Sequence, residues 1–216
     1  MEASPSIGRL HVLTDFHLQQ RYSHAALARL VIRGGADTIQ FRQKTGGLHN
    51  LLVEARKVQA VCRDTSVPLI VDDHLPIAQA VGAAGVHLGQ EDFPIAAARD
   101  VLGPEVLIGA SANTRAQAEA AYEAGADYIG YGPIYPTTSK AYIKSVQGPQ
   151  GLADVCEALP LPVIAIGGIT HGRVRPVLEA GAYGVAVLSA ICTAADPERA
   201  TARFRAAIDG ALLQEA

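Results

Sequence analysis

Gln40, Arg42 and Lys44 stand two apart in the run Gln40-Phe41-Arg42-Gln43-Lys44, directly after Ala36-Asp37-Thr38-Ile39. Residues two apart on a strand share a face, so an amide and two cations would project together. Such a group suits a phosphate or diphosphate, which accepts charge-assisted hydrogen bonds that a hydrophobic core has no use for. Asp73 and Asp92 offer the complementary chemistry. Two carboxylates from neighbouring segments suit a hard divalent cation such as Mg²⁺, which takes few protein carboxylates and fills its octahedron with water and phosphate oxygens. Each aspartate could also cap a helix, Asp73 one beginning near Leu75 and Asp92 one just before Pro94, and the two roles are compatible. Lys140 would join Arg42 and Lys44 around a diphosphate.

A second polar set has no charge. Gly167-Gly168 and Leu188-Ser189 fit a cup in which backbone N–H groups of a Gly-rich turn hold an anion, although the glycines could equally serve a tight turn alone. Two anion sites in one mouth imply two phosphorylated substrates, or one molecule with two phosphate ends. Other chemistries find little support. His11, His17, His24, His49 and His171 show no metal spacing, His87 reads as a hydrogen-bonded core residue, and no Ser–His–Asp or Cys–His grouping emerges.

The elements that must position these groups repeat along the chain. Short β-branched runs cover Leu10–Asp15, Thr38–Gln43, Pro68–Asp73, Val86–Gly89, Leu107–Ser111, Tyr128–Pro133, Val163–Gly168 and Gly184–Ser189. Alanine-rich amphipathic stretches alternate with them, among them Leu48–Asp64, Arg115–Ala124 and Gly151–Leu159, and Asp196-Pro197-Glu198 reads as the start of a last helix. Eight strands each followed by a helix predict a single-domain parallel (β/α)8 barrel over residues 1–216, with residues 1–8 as a loose arm. An internal repeat agrees. Gly35-Ala36, Gly82-Ala83, Gly125-Ala126 and Gly181-Ala182 each precede a strand, as expected if each Gly ends a helix in the left-handed conformation. An open doubly wound sheet would need a Gly-rich loop after the first strand, where Thr14-Asp15-Phe16-His17 stands instead. In a barrel the C-terminal strand ends build the active site, and seven of them here end in polar or glycine-rich sequence.

Composition sets the limits. Half the residues are apolar (49%) and 18% are charged, enough for a large core and against disorder. A net charge of −3 argues against bulk binding to nucleic acid or anionic membranes, so an anion must be held by locally grouped cations. No apolar run reaches the length of a membrane span and the N-terminus lacks a signal pattern. Cys62, Cys156 and Cys192 are odd in number and far apart, which points to structural thiols in a reducing cytoplasm rather than to disulfides or zinc. The oligomeric state stays open.

Taken together, the motifs resemble the thiamine-phosphate synthases, in the superfamily that they share with the thiazole tautomerases. The matching segments are Leu13-Thr14-Asp15, Gln40-x-Arg42-x-Lys44, Asp72-Asp73, the specific run Gly85-Val86-His87-Leu88-Gly89-Gln90-Glu91-Asp92, Gly109-Ala110-Ser111, Gly132-Pro133-Ile134-Tyr135-Pro136-Thr137, Lys140, Ile166-Gly167-Gly168-Ile169 and Gly184-Val185-Ala186-Val187-Leu188-Ser189. The resemblance implies a transferase that joins an aminopyrimidine-methyl diphosphate to a thiazole phosphate, with or without its carboxylate, to form thiamine phosphate and diphosphate. It implies that Gln40, Arg42, Lys44, Ser111 and Lys140 contact the pyrimidine diphosphate, and that Asp73 and Asp92 hold Mg²⁺. Thr137, Thr138, Ser139, Gly168, Leu188 and Ser189 would then surround the thiazole phosphate.

Three departures stand out. Asp72 replaces an Asn that contacts diphosphate, so its charge would repel the anion unless it is protonated or turned toward Mg²⁺. Asn113 replaces a His that the tautomerase branch uses for acid–base work, and Ser139 replaces a Thr. The segment Ala141–Ser145 reads as a lid. Alternatives to the synthase are a tautomerase-like isomerase and a non-catalytic binder of thiazole or pyrimidine phosphates.

Overall fold

The computed structural model describes residues 7–139 and 145–213. Eight parallel strands close into a barrel in chain order: β1 (Leu10–Asp15), β2 (Thr38–Arg42), β3 (Leu69–Asp72), β4 (Gly85–Leu88), β5 (Leu107–Ala112), β6 (Tyr128–Tyr131), β7 (Val163–Ile166) and β8 (Gly184–Val187). The helices are α1 (His24–Arg33), α2 (Leu48–Thr65), α3 (Leu75–Val81), α4 (Ile95–Leu102), α5 (Arg115–Glu123), α6 (Gly148–Ala158), α7 (Val174–Glu179), α8 (Ser189–Cys192) and α9 (Pro197–Leu212). The (β/α)8 barrel expected from the alternation is therefore present. Strand starts fall within one residue of those expected, but several strands stop one or two residues early. The reason is local: Asp73, Gly167 and Gly168 have φ of 62°, 96° and 65°, which bend the chain out of the ladder.

Two cores follow from the period-2 alternation of the strands. Outward residues such as Val12, Phe41, Val71, Val86, Ile129 and Val185 pack under the helices in one large cluster. Inward residues form a smaller one: Leu13, Tyr128, Ile164 and Ala186, with Ile7 below them. Ile7 is buried and the Gly8 N–H donates to Thr38 Oγ1 (2.8 Å), so the arm expected over residues 1–8 is not loose at these two positions. An apolar side chain is needed there to cover the lower opening of the barrel. Residues 1–6 lie outside the described residues.

The helix-ending glycines behave as expected, with φ of 95° at Gly35, 61° at Gly82, 95° at Gly125 and 94° at Gly181. Two of these turns continue into Asp37 and Asp127, which tie adjacent strands together. Asp37 accepts from the Arg9 and Leu10 N–H groups and pairs with Arg205. Asp127 accepts from the Ile108 N–H and pairs with Arg99. Asp196 caps α9 by accepting from the Arg199 N–H (3.0 Å). The three thiols are unpaired, and Cys192 donates to the Leu13 carbonyl. No helix among the described residues is long and apolar enough to cross a membrane.

Candidate active site at the mouth of the barrel

Parity places Asp15, Gln40, Arg42 and Asp72 inward at the C-terminal ends of β1, β2 and β3, whose registers align Asp15 with Arg42 and Gln40 with Ile70. Arg42 is the hub. Its guanidinium pairs with Asp15 and its Nε lies 3.5 Å from Asp72 Oδ2. Lys44, just past the strand, sits 3.2 Å from the same Asp72 oxygen and also pairs with Asp73. Arg42 and Lys44 thus converge on Asp72, while Gln40 lies buried one inward position below Arg42 on β2. Asp72 does not stand bare against an anion, because two cations share its charge. Burial disfavours the Lys44 ammonium, but Asp72 and Asp73 more than offset it and raise its pKa.

Asp15 contributes more than charge. Buried at the end of β1, it also accepts from the N–H groups of His17 (2.7 Å) and Leu18 (3.1 Å), so it fixes the following turn while holding Arg42. In the sequence Asp15 stands only as part of the motif Leu13-Thr14-Asp15, with no role of its own. Its position as the last inward residue of β1, in register with Arg42, was the available signal.

Asp73 and Asp92 lie side by side. Burial raises the Asp92 pKa, and the neighbouring Asp73 carboxylate adds to the rise. Neither aspartate caps a helix. His74 is the N-cap residue of α3 and Pro94 that of α4, neither with a side-chain bond, while Asp92 Oδ2 accepts from the Gly89 N–H (2.6 Å). The capping alternative is therefore overturned, and both carboxylates remain turned to the mouth. Asp73 is one of two non-glycine residues with positive φ among the described residues, a strained conformation of the kind that collects at functional sites. The same residues contain no group of three His, Cys, Asp or Glu fit to hold a metal, so the candidate cation site is a pair.

On the far side of the mouth, Ser139 Oγ donates to Ser189 Oγ (3.1 Å), and the Ser139 N–H donates to Thr137 Oγ1 (3.3 Å). Ser189 opens α8 directly after Leu188, and the Gly168 carbonyl accepts from Arg173 (2.7 Å). Gly168 is required by close approach: a Cβ there would lie 2.6 Å from the Pro136 carbonyl oxygen. Thr138, between Thr137 and Ser139, is exposed. Lys140 and most of the expected lid lie outside the described residues.

Between the two halves, Ser111 at the end of β5 meets His87 Nε2 (2.9 Å), and its carbonyl accepts from the Gln90 amide (2.7 Å). Asn113 donates through its side chain to the Gly132 carbonyl.

A closed parallel barrel whose strand ends gather ionic groups on one side and hydroxyls on the other is the architecture of a (β/α)8-barrel enzyme. A family model described as thiamine monophosphate synthase matches residues 10–191. The chain is 72% identical over 210 residues to the thiamine-phosphate synthase of Salinibacter ruber, covering 97% of this chain and 92% of that one. It is 40% identical to the thiamine-phosphate synthase of Chloroflexus aurantiacus, with 93% and 92% covered. A solved thiamine phosphate pyrophosphorylase from Pyrococcus furiosus superimposes with a TM-score of 0.86 at 35% identity, over 94% of this chain and 96% of that one. The chain belongs to the thiamine-phosphate synthase family, the one that its motifs resemble.

Proposed function

We propose that this barrel is a Mg²⁺-dependent thiamine-phosphate synthase, which joins an aminopyrimidine-methyl diphosphate to a thiazole phosphate and releases diphosphate. The observation that carries the reading is the division of one mouth into two corners. Arg42, Lys44 and the aspartates form an ionic corner, and Thr137, Ser139, Ser189 and the Gly168 turn form a neutral one.

In the ionic corner, four carboxylates (Asp15, Asp72, Asp73 and Asp92) meet two cations (Arg42 and Lys44) among the described residues. That balance is too negative for a bare diphosphate and right for a diphosphate arriving with a divalent cation and Lys140. Asp73 and Asp92 would hold Mg²⁺, whose contribution when bound is to neutralise charge growing on the leaving diphosphate.

The chain's own groups do the rest. Arg42, Lys44 and Lys140 bind the diphosphate oxygens, with Gln40 and Ser111 beside them. The C–O bond to the diphosphate breaks heterolytically, both electrons leaving with oxygen, and the electron-rich aminopyrimidine stabilises the methylene cation. The thiazole nitrogen then donates its lone pair to that carbon, forming the C–N bond. The hydroxyl corner, with Leu188 beside it, holds the thiazole phosphate so that capture outruns reaction with water. No side-chain nucleophile is needed.

The test is to mix the purified protein with both substrates and Mg²⁺. Thiamine phosphate should form, and product no greater than in a protein-free blank would overturn the reading. An isomerase of the tautomerase type is disfavoured because Asn113 commits its amide to the Gly132 carbonyl and has no titrating group to offer.

A further inference from the structure

Behind Ser111 the barrel interior carries two polar side chains, His87 and Tyr128, that the reaction as described does not use. His87, Ser111 and Tyr128 all point inward, from β4, β5 and β6. Tyr128 Oη lies 3.1 Å from His87 Nδ1, and His87 Nε2 lies 2.9 Å from Ser111 Oγ. The backbone is cut to fit these rings. Gly109 is in register with both His87 and Tyr128, and a Cβ there would lie 2.1 Å from Tyr128 Cζ. Gly130 pairs with Ser111, and a Cβ there would lie 2.9 Å from His87 Cε1. A core that merely needed filling would not require two bare positions around a histidine and a phenol.

We propose that Tyr128 and His87 form a one-way chain of hydrogen bonds that ends on Ser111 and leaves the Ser111 hydroxyl proton facing the mouth. They are thereby positioning residues for the diphosphate contact. This rests on the function proposed above.

The direction follows from donor counting. A neutral imidazole has one N–H and one lone pair. The Tyr128 phenol is fully buried, which keeps it protonated, and the one hydrogen bond of its side chain among the described residues is to His87 Nδ1, so a buried phenol proton turned elsewhere would go unsatisfied. The phenol's own proton is then left for His87 Nδ1. With Nδ1 accepting, the ring proton sits on Nε2 and is donated to Ser111 Oγ. That oxygen already receives a proton, so its own hydrogen turns outward, the orientation an anionic leaving group needs. The opposite tautomer would present lone pairs to that anion.

Two measurements test this. The ring nitrogen shifts of ¹⁵N-histidine-labelled protein, with His87 assigned by comparison with His87→Gln, should show a protonated Nε2 and an accepting Nδ1 at neutral pH. A protonated Nδ1, or an imidazolium, would overturn the proposal. Tyr128→Phe keeps the ring but removes the proton that sets the tautomer. It should lower kcat about tenfold, the worth of one hydrogen bond, yet change kcat less than about twofold when Ser111 is already alanine. Equal losses in both backgrounds would mean that Tyr128 acts through packing alone, and would refute the chain. If the wild-type protein forms no thiamine phosphate, the function reading fails, while the imidazole spectrum still decides the direction of the chain.

Discussion

Asp72 places a carboxylate next to the cations that an anionic substrate would need. From sequence this looked like a repulsion to be removed by protonation or by Mg²⁺. The fold supplies another answer, because Arg42 and Lys44 both lean on Asp72, which holds them at the mouth. The two effects oppose one another, and charge wins where the tether is partly redundant: Asp15 holds Arg42 and Asp73 holds Lys44. Asp72→Asn should therefore lower the concentration of inorganic diphosphate that half-inhibits the enzyme, by roughly threefold to tenfold for one charge at surface-site screening. An unchanged or higher value would show that tethering dominates. The cations themselves were legible in the sequence through their period-2 spacing. Their partners were not, because the choice among Asp15, Asp72 and Asp73 depends on the left-handed turn at Asp73, and nothing in the local sequence announces that turn.

At the scale of elements, strand starts were easier to read than strand ends. A glycine with positive φ followed by alanine marks each of four entries into the barrel, whereas the exits bend early to aim side chains. The same bending makes the neutral corner sensitive to small changes. At Gly168 an alanine would suffer both a φ of 65° and contact with Pro136 and Tyr135. The left-handed conformation alone costs about 1–2 kcal/mol. Gly168→Ala should raise KM for the thiazole phosphate and lower Tm by several degrees, with the inhibition constant for diphosphate unchanged. If both constants shift together, the two corners are not separate. The inward glycines of β5 and β6 gave no such warning in sequence. Gly109 reads as an ordinary strand residue until Tyr128 is seen lying against it.

For the molecule as a whole, burial of His11 near the lower end of the barrel links stability to pH. The ring packs against Tyr128, bonds the Gly8 carbonyl through Nε2 (3.0 Å), and has its pKa depressed by burial from 6.5 to about 4. Between those values the unfolded chain carries the proton and the folded one does not. The unfolded state then binds more protons, and stability falls as pH drops through that window, levelling off below about 4. The full window is worth on the order of 3 kcal/mol. His11→Gln should flatten the fall in urea midpoint between pH 6.5 and pH 4; an unaltered slope would assign the acid sensitivity to other groups.

Closure of the barrel has a further consequence, in time rather than in energy. β1 finds its second neighbour only in β8, through Leu10 with Val185, His11 with Ala186 and Val12 with Val187. A chain emerging from the ribosome therefore carries an unpaired edge on β1 until all seven strands that follow it have been made. Such edges recruit other strands, so crowding of nascent chains is the stage at which this protein is most exposed to aggregation.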